Sequence, residues 1–344
     1  MRDSREIIQR TMEGQRNERL PRALFGGGLW AYKQAGLCIE EITGDPERFA
    51  GMLSSLYGEL ETDILFLGSG LNSFPAEAIG GTLAFRGAQA PLLSHPVIHT
   101  REDIQRCGRI DLSRSPYTFA LIRTIGEIRK RFPDRFICVT SWGPFTWAMI
   151  LCDWELLKEK LVSDRAFIRE VGELGARLST TLFDLLIDRG LVDGISITGG
   201  STTLMPNEDY RELILPLQRK LFEHIKQKGI RCFLHQCGEI RSQLPLYPLT
   251  GADCITVDDH VTLREAYDLY HERLVTAGNV DVINVIGKGD PARLCRAVAE
   301  CVSQVKDPFL RYILMPSCDL PLDTPLRNVK EFLACADGWG PEKK

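Results

Sequence analysis

Short apolar runs alternate with longer segments of helical period along most of this 344-residue chain, and this alternation limits the folds that it can adopt. The runs have the length and composition of buried strands, and the longer segments have those of amphipathic helices. Regular alternation of the two indicates parallel βα units, so the predicted fold class is α/β. The runs that we predict to be strands are 23–25, 64–67, 136–140, 194–198, 231–237, 254–258, 282–286 and 312–316.

Eight βα units are the number that closes a (β/α)8 (TIM) barrel, which we predict in preference to an open, doubly wound sheet. The whole chain, 1–344, is then one barrel domain, and the residues before the first strand form an N-terminal extension. Three of the connecting segments have a clear helical pattern and are predicted to be helices: 164–189, 207–228 and 291–305.

Two segments depart from the alternation. Residues 69–100 carry Gly80-Gly81, Gly87 and two prolines, which indicate a hairpin excursion over the barrel mouth rather than another βα unit. The last residues, 340–344, are small or charged and are predicted to be disordered.

Composition and charge exclude several classes of function. The net charge of -4 provides no basic field for a nucleic-acid backbone, so we expect no nucleic-acid partner. No run reaches the roughly 18 to 20 apolar residues of a membrane span, and the first residues lack the apolar core of a secretory signal. We therefore expect a cytoplasmic protein that does not contact membranes.

The chain has 11 cysteines, scattered without a disulfide-type spacing. In a cytoplasmic chain of this length, reduced thiols or metal ligands are more common than disulfides. We predict that the cysteines within apolar stretches are buried, unreactive thiols. These are Cys138, Cys152, Cys232, Cys254, Cys295 and Cys301.

Three residues at the ends of predicted strands form a candidate metal site. His235 and Cys237 are two positions apart, so their side chains project to the same face of the strand. Cys318 follows the last strand, and the carboxyl ends of all strands meet at one mouth of a closed barrel. One imidazole and two thiolates suit zinc, and three protein ligands leave a position open for substrate. Considered without the predicted fold, these three residues are also explained by chance, because a His-x-Cys pair and a distant cysteine occur in many unrelated sequences.

The residues around these ligands resemble those of a known family. Residues 233–238 (Phe-Leu-His-Gln-Cys-Gly), 251–258 and 314–318 (Leu-Met-Pro-Ser-Cys) are similar to motifs of the zinc-containing corrinoid methyltransferases of the uroporphyrinogen decarboxylase superfamily. The similarity continues in 323–330 and in the Gly-Pro-Phe-Thr turn at 143–146.

The resemblance implies a (β/α)8 barrel in which His235, Cys237 and Cys318 hold Zn²⁺ and act in catalysis. It further implies methyl exchange with cobalamin that a separate corrinoid-binding protein supplies. The other reactant is either a thiol acceptor or a small methylated donor, and both directions of transfer suit a zinc site with an open position.

Uroporphyrinogen decarboxylase itself is the alternative within the superfamily. Residues 29–36 resemble its N-terminal Arg-Gln-Ala-Gly-Arg motif, but Lys33 and Leu37 stand where that enzyme has arginines facing substrate carboxylates. Lysine and leucine cannot make the paired hydrogen bonds that two arginines make with substrate carboxylates, so porphyrinogen decarboxylation is disfavoured. A third hypothesis is a barrel that only binds a corrinoid protein or small ligand.

Four further residues are candidates for contact with substrate. Trp30, Tyr32 and Trp142 are predicted to line an apolar pocket or pack on the corrin ring, although aromatic residues at strand ends are commonly packing residues. Asp258 ends the strand after the His-x-Cys pair, where a carboxylate orients substrate, binds the metal or supports a ligand imidazole. Its alternative role is the N-cap of the helix that is predicted to begin at Val261.

Overall fold

Eight parallel strands form the centre of the structure, a computed structural model that describes residues 3–25 and 27–339. Each strand pairs in parallel with the next one along the chain, and two further short strands form a separate antiparallel pair. The last strand returns to the first, since the backbone N–H of Leu314 donates to the carbonyl of Pro21 at 2.9 Å and Arg22 bridges Leu314 in parallel. The sheet is therefore a closed barrel, and the predicted (β/α)8 fold is confirmed.

The elements have the following bounds. The strands are β1 Ala23–Leu24, β2 Ile64–Leu67, β3 Leu83–Ala84, β4 Leu92–Leu93, β5 Phe136–Trp142, β6 Gly194–Thr198, β7 Arg231–Gln236, β8 Cys254–Val257, β9 Val275–Val280 and β10 Tyr312–Pro316. The helices are α1 Ser4–Met12, α2 Gly28–Gln34, α3 Pro46–Gly58, α4 Arg101–Arg106, α5 Pro116–Arg131, α6 Pro144–Leu151, α7 Trp154–Ser163, α8 Arg165–Ile187, α9 Asn207–Asp209, α10 Leu215–Gln227, α11 Leu263–Tyr270, α12 Pro291–Ser303 and α13 Leu326–Ala334.

Local sequence sets the starts of the long helices. Asp164 caps α8, because its carboxylate accepts the backbone N–H of Phe167 at 3.2 Å. Asp290 caps α12 in the same way, and Pro291 occupies the first turn, where its missing N–H costs nothing. The predicted helices 164–189 and 291–305 thus correspond to α8 and α12, while 207–228 contains α9, a π-helical turn and α10.

The hairpin predicted within residues 69–100 is present. Strands β3 and β4 pair antiparallel, with Leu83 opposite Leu93. The end of the segment is tied to α6, because the backbone N–H groups of Val97 and Ile98 both donate to the carbonyl of Leu151, at 2.9 and 3.0 Å. No helix within 3–25 and 27–339 is both long and apolar enough to cross a membrane. The predicted tail, 340–344, lies outside the described residues.

One predicted strand was wrong. Residues Val282–Ile286 form a π-helical turn, and the strand of this βα unit is β9, Val275–Val280. Val282 and Ile286 are buried on one side of the turn, and the Asp281 carboxylate accepts the backbone N–H groups that begin it. The true strand carries Gly278 and Asn279, residue types that strands generally disfavour, and this hid it from the sequence pattern.

The cysteine predictions were correct with one exception. Cys138, Cys152, Cys232, Cys254 and Cys301 are buried, and burial raises the pKa of Cys152 to about 12 and that of Cys301 to about 11. Cys295 was expected in the core. It lies instead on the surface of α12, where it forms a disulfide with Cys335 at the end of α13, with a Cα–Cα distance of 5.1 Å.

The N-terminal extension closes the lower end of the barrel, opposite the mouth. Ile8 and Met12 of α1 belong to the same buried cluster as the side chains that fill the barrel interior. At the edge of α1, the Arg5 guanidinium lies 2.6 Å from the carboxylate of Asp193, which precedes β6. The extension therefore completes the core of the barrel and is not an appended arm.

We expect Ile8→Ala to lower the free energy of unfolding by about 2–5 kcal/mol, because Ile8 is 0% exposed and its removal leaves a cavity in the barrel floor. The matched control is Ile283→Ala, since Ile283 is 54% exposed and its loss should change stability by less than about 0.5 kcal/mol. Urea unfolding followed by circular dichroism measures both. Equal effects of the two variants would show that α1 does not contribute to the core.

Candidate metal centre

His235, Cys237 and Cys318 meet at the mouth of the barrel. His235 lies in β7, Cys237 follows its last residue, and Cys318 lies just beyond the end of β10. The ligand atoms of the three side chains are all within 4.8 Å of one another. His235 is buried and both cysteines are partly accessible, so the cluster opens toward the mouth.

The spacing of these atoms fits a tetrahedral zinc ion. Zinc binds cysteine sulfur at about 2.3 Å and histidine nitrogen at about 2.0–2.1 Å, so a tetrahedral angle places the two ligand atoms about 3.6 Å apart. The distance between Cys318 Sγ and His235 Nε2 is 3.6 Å. The donor set and this distance therefore suit zinc.

The two thiols differ in acidity because they share a hydrogen bond. The thiol of Cys318 donates to the sulfur of Cys237, which lowers the pKa of Cys237 against the opposing effect of burial. The same hydrogen bond, together with burial, raises the pKa of Cys318, while nearby His235 opposes the rise. Because cysteine binds a metal as the thiolate, a lowered pKa of Cys237 suits a ligand position.

Two neighbours fix the orientation of the His235 ring. Its Nδ1 lies 2.7 Å from Oγ1 of Thr256, the residue paired with His235 in the register of β7 and β8. The ring of Phe25 stacks on the imidazole, with 4.0 Å between centroids and 20° between planes. When Nε2 binds a metal, the proton of the neutral ring is on Nδ1, where Thr256 accepts it.

Asp258 holds the backbone just after Cys237. Its carboxylate accepts the backbone N–H of Gly238, a residue in the left-handed conformation (φ +86°) that ends the strand sharply. It also accepts the backbone N–H of His260 at 3.0 Å, and the His260 ring lies 3.1 Å away. The alternative role of Asp258 as an N-cap is wrong, because Thr262 caps α11. Its contact with substrate stays a prediction.

The loop after β6 approaches the metal site closely. A Cβ atom on Gly200 would lie 2.4 Å from the sulfur of Cys237, so only glycine leaves room for the thiol at this position. On the same loop, the Thr203 hydroxyl donates to the carbonyl of Gly200 at 2.8 Å. The loop is thereby fixed beside Cys237.

The three aromatic candidates occupy different environments. Trp30 is 1% exposed, and its Nε1 donates to the carbonyl of Thr324 at 2.8 Å. Tyr32 is 4% exposed, packs near Phe49, and has a pKa raised by burial. Trp142, at the end of β5, is partly accessible. The structure thus places the first two in the core, and substrate contact by all three stays a prediction.

Sequence reasoning missed a carboxylate beside the site. Asp319 follows Cys318, and the Ser69 hydroxyl lies 2.8 and 2.7 Å from its two oxygens. Burial of the carboxylate among its neighbours raises its pKa, while Ser69, His235 and the backbone N–H of Gly27 oppose the rise. The available signal was its position next to a ligand cysteine, but its partners come from other loops far away in sequence.

Comparison with known proteins fits this architecture. The family model described as uroporphyrinogen decarboxylase (URO-D) matches residues 3–339. The chain belongs to the uroporphyrinogen decarboxylase family. The match spans the barrel together with α1 and α13, so all the elements that build the candidate metal centre are part of the family domain.

Several similar proteins are methyltransferases. Methylcobamide:CoM methyltransferase MtbA of Methanosarcina acetivorans is 30% identical over 254 residues, covering 73% of this chain and 72% of that protein. The protein of the same name from Methanosarcina mazei is 28% identical over 341 residues, covering 97% and 98%. A solved methyltransferase structure from Methanosarcina mazei shares the fold, with a TM-score of 0.84 at 18% identity over 98% and 99% of the two chains. The family member described here is a methyltransferase of the corrinoid branch, as its motifs predicted.

We expect Thr256→Val to weaken zinc binding about 10- to 100-fold, because the His235 ring loses the hydroxyl that holds its Nδ1. The control is Thr276→Val on the adjacent strand β9, whose buried hydroxyl has no hydrogen-bond partner among the described residues. Competition with a chromogenic chelator measures both affinities. Equal zinc affinities in wild type and Thr256→Val would show that this contact does not support the ligand.

Proposed function

We propose that this methyltransferase exchanges a methyl group between cobalamin carried by a corrinoid protein and a small thiol or methylated substrate, at a zinc ion held by His235, Cys237 and Cys318. The observation that carries the proposal is the geometry of this cluster, an imidazole and two thiols at the barrel mouth with ligand atoms within 4.8 Å of one another. Three protein ligands with an open fourth position are typical of catalytic rather than structural zinc.

Zinc in such a site lowers the pKa of a thiol that enters its open position, or polarises the heteroatom of a methylated substrate. The protein supplies the rest of the arrangement. Thr256 and Phe25 hold the imidazole, and the Asp258 carboxylate fixes the backbone that carries Cys237. These contacts preorganise the ligands, so that little reorganisation is needed when substrate binds.

The proposal requires access by a second protein. The cluster lies at the carboxyl ends of the strands, the face at which barrel enzymes bind their reactants. This sequence contains no Asp-x-His-x-x-Gly motif of the kind found in cobalamin-binding proteins. Two relatives are named for action on methylcobamide, which supports a corrinoid as the methyl carrier.

Porphyrinogen decarboxylation is less well supported. The Lys33 ammonium pairs with Asp323 at 2.5 Å, and Leu37 is buried with 8% exposure. Neither residue presents a free cation to the many carboxylates of a porphyrinogen. The decarboxylase hypothesis also assigns no role to the His-Cys-Cys cluster.

Purified protein should contain about one zinc per chain, and Cys237→Ala and Cys318→Ser should each lose most of it, because removal of one of three ligands weakens the site severely. Cys38→Ser is the control, since Cys38 is an exposed, free thiol outside the cluster. Metal analysis by plasma mass spectrometry gives the stoichiometry. Full zinc content in both ligand variants would refute the assignment of ligands.

With methylcobalamin or Co(I) cobalamin, free or on a corrinoid protein, the enzyme should transfer a methyl group, and His235→Ala should reduce the rate at least about 100-fold. Anaerobic visible spectroscopy of cobalamin detects either direction, with thiols, methylated amines, sulfides and aryl ethers as reactants. His95→Ala, at an exposed histidine of the hairpin segment, should retain wild-type activity. An unchanged spectrum across the whole panel would favour a barrel that only binds its ligand.

A further inference from the structure

Cys295, Glu331 and Cys335 form a second cluster of metal-ligating side chains, on the outer layer of helices. Cys295 lies in α12, and Glu331 and Cys335 lie one turn apart at the end of α13. The ligand atoms of the three side chains are all within 4.8 Å of one another. The two sulfurs are joined as a disulfide, and Oε1 of Glu331 is 3.9 Å from Sγ of Cys295. A disulfide sulfur carries no proton, so the oxidised pair offers this carboxylate no hydrogen bond.

The packing of α13 holds these donors together independently of the disulfide. Phe332 and Leu333 are buried against the core. At the start of the helix, the side-chain amide of Asn328 donates to the carbonyls of Ile286 and Gly289, at 2.9 and 3.1 Å, in the turn before α12. Breaking the disulfide therefore leaves α13 beside α12, and the two thiols that result stay close to each other.

The distances within this cluster suit a tetrahedral zinc ion. Two sulfurs at about 2.3 Å from zinc lie about 3.8 Å apart, and a carboxylate oxygen at about 2.0–2.2 Å from zinc lies about 3.6 Å from each sulfur. The oxygen-to-sulfur distance of 3.9 Å is close to the second value. The Cα atoms of the two cysteines are 5.1 Å apart, so rotation about the Cα–Cβ bonds separates the sulfurs once their bond is broken. Thiolates and carboxylates are both ligands that zinc accepts.

We propose that Cys295, Glu331 and Cys335 form a redox-controlled metal site, which binds a second zinc ion after the disulfide is reduced. A dithiol reductant breaks the S–S bond by passing two electrons and two protons to the sulfurs, and becomes a disulfide itself. Zn²⁺ then displaces the two thiol protons, and the carboxylate is the third protein ligand. Disulfide formation and zinc binding exclude each other at this position. This second site is independent of the proposed methyl exchange.

The test compares wild-type protein with its disulfide intact and after reduction by tris(2-carboxyethyl)phosphine, which takes up the oxygen of water as its two protons pass to the sulfurs. Both samples are loaded with zinc under anaerobic conditions, freed of excess metal and analysed by plasma mass spectrometry. Reduction should raise the zinc content by about one ion per chain. Cys295→Ser and Cys335→Ser should abolish this rise.

Glu331→Gln tests the third ligand, and it should weaken the affinity for the second zinc ion roughly tenfold or more, because an amide oxygen is a poorer ligand than a carboxylate. Competition with a chromogenic chelator measures this affinity in the reduced protein. Glu300→Gln is the matched control, since Glu300 is an exposed carboxylate of α12 outside the cluster. It should keep the wild-type affinity.

A second measurement locates the ion in wild-type protein. Reduced protein is treated with iodoacetamide, and the labelled peptides are quantified by mass spectrometry. Zinc should slow the alkylation of Cys295 and Cys335 at least about tenfold, because a metal-bound thiolate is a weaker nucleophile than a free one. Cys38, an exposed free thiol, should be labelled at the same rate with and without zinc.

The outcomes separate the second site from the candidate metal centre. No rise in zinc content on reduction, or alkylation of Cys295 and Cys335 at rates that zinc does not change, would overturn the second site and leave the methyl exchange standing. A rise that persists in Cys295→Ser and Cys335→Ser would overturn the assignment of its ligands. Cys237→Ala should lose zinc from the disulfide-bonded protein and still show the rise on reduction.

Discussion

The hydrogen bonding that joins β10 back to β1 is the constraint on which the rest of this structure depends. The contact between Leu314 and Pro21 closes the sheet, so the loops after the first and last strands become neighbours. This closure brings Asp319 next to Gly27 and Ser69, and places Cys318 opposite β7. In an open sheet, the two edge strands would lie at opposite ends, and the His-Cys-Cys cluster would not form.

The barrel divides into a packed lower part and a polar mouth. Phe66, Phe136 and Phe233 fill the interior together with Ile8 and Met12 of α1. Above this layer, Phe25 contacts the His235 ring, so the apolar filling directly supports this candidate ligand. A rigid floor beneath the ligands limits their movement, and this is the condition for a site that binds without reorganisation.

The arrangement of polar groups at the mouth depends on which residues come directly after the end of each strand. Cys237 and Asp258 follow the adjacent strands β7 and β8. The Asp258 carboxylate accepts the backbone N–H of Gly238, the residue after Cys237, and so fixes the backbone there. Gly200, in the loop after β6, has no side chain and therefore leaves space for the sulfur of Cys237. Both thiols of the His-Cys-Cys cluster stay partly accessible.

The sequence alone determined the α/β class, most of the strands, the hairpin excursion and the His235, Cys237 and Cys318 set, because periodicity, turn residues and local spacing are readable along the chain. It failed where the local signal was misleading. Gly278 and Asn279 concealed β9, and the apolar neighbours of Cys295 suggested a core position, although it pairs with Cys335 at the surface.

Only the tertiary structure decided which groups surround the candidate metal ligands. Thr256 reaches His235 through strand register, and Ser69 reaches Asp319 across 250 residues of sequence. Trp30 and Tyr32 lie in the core although their positions near a strand end suggested a pocket. These contacts depend on how distant segments pack once the barrel closes, and a one-dimensional pattern of polar and apolar residues carries no record of that packing.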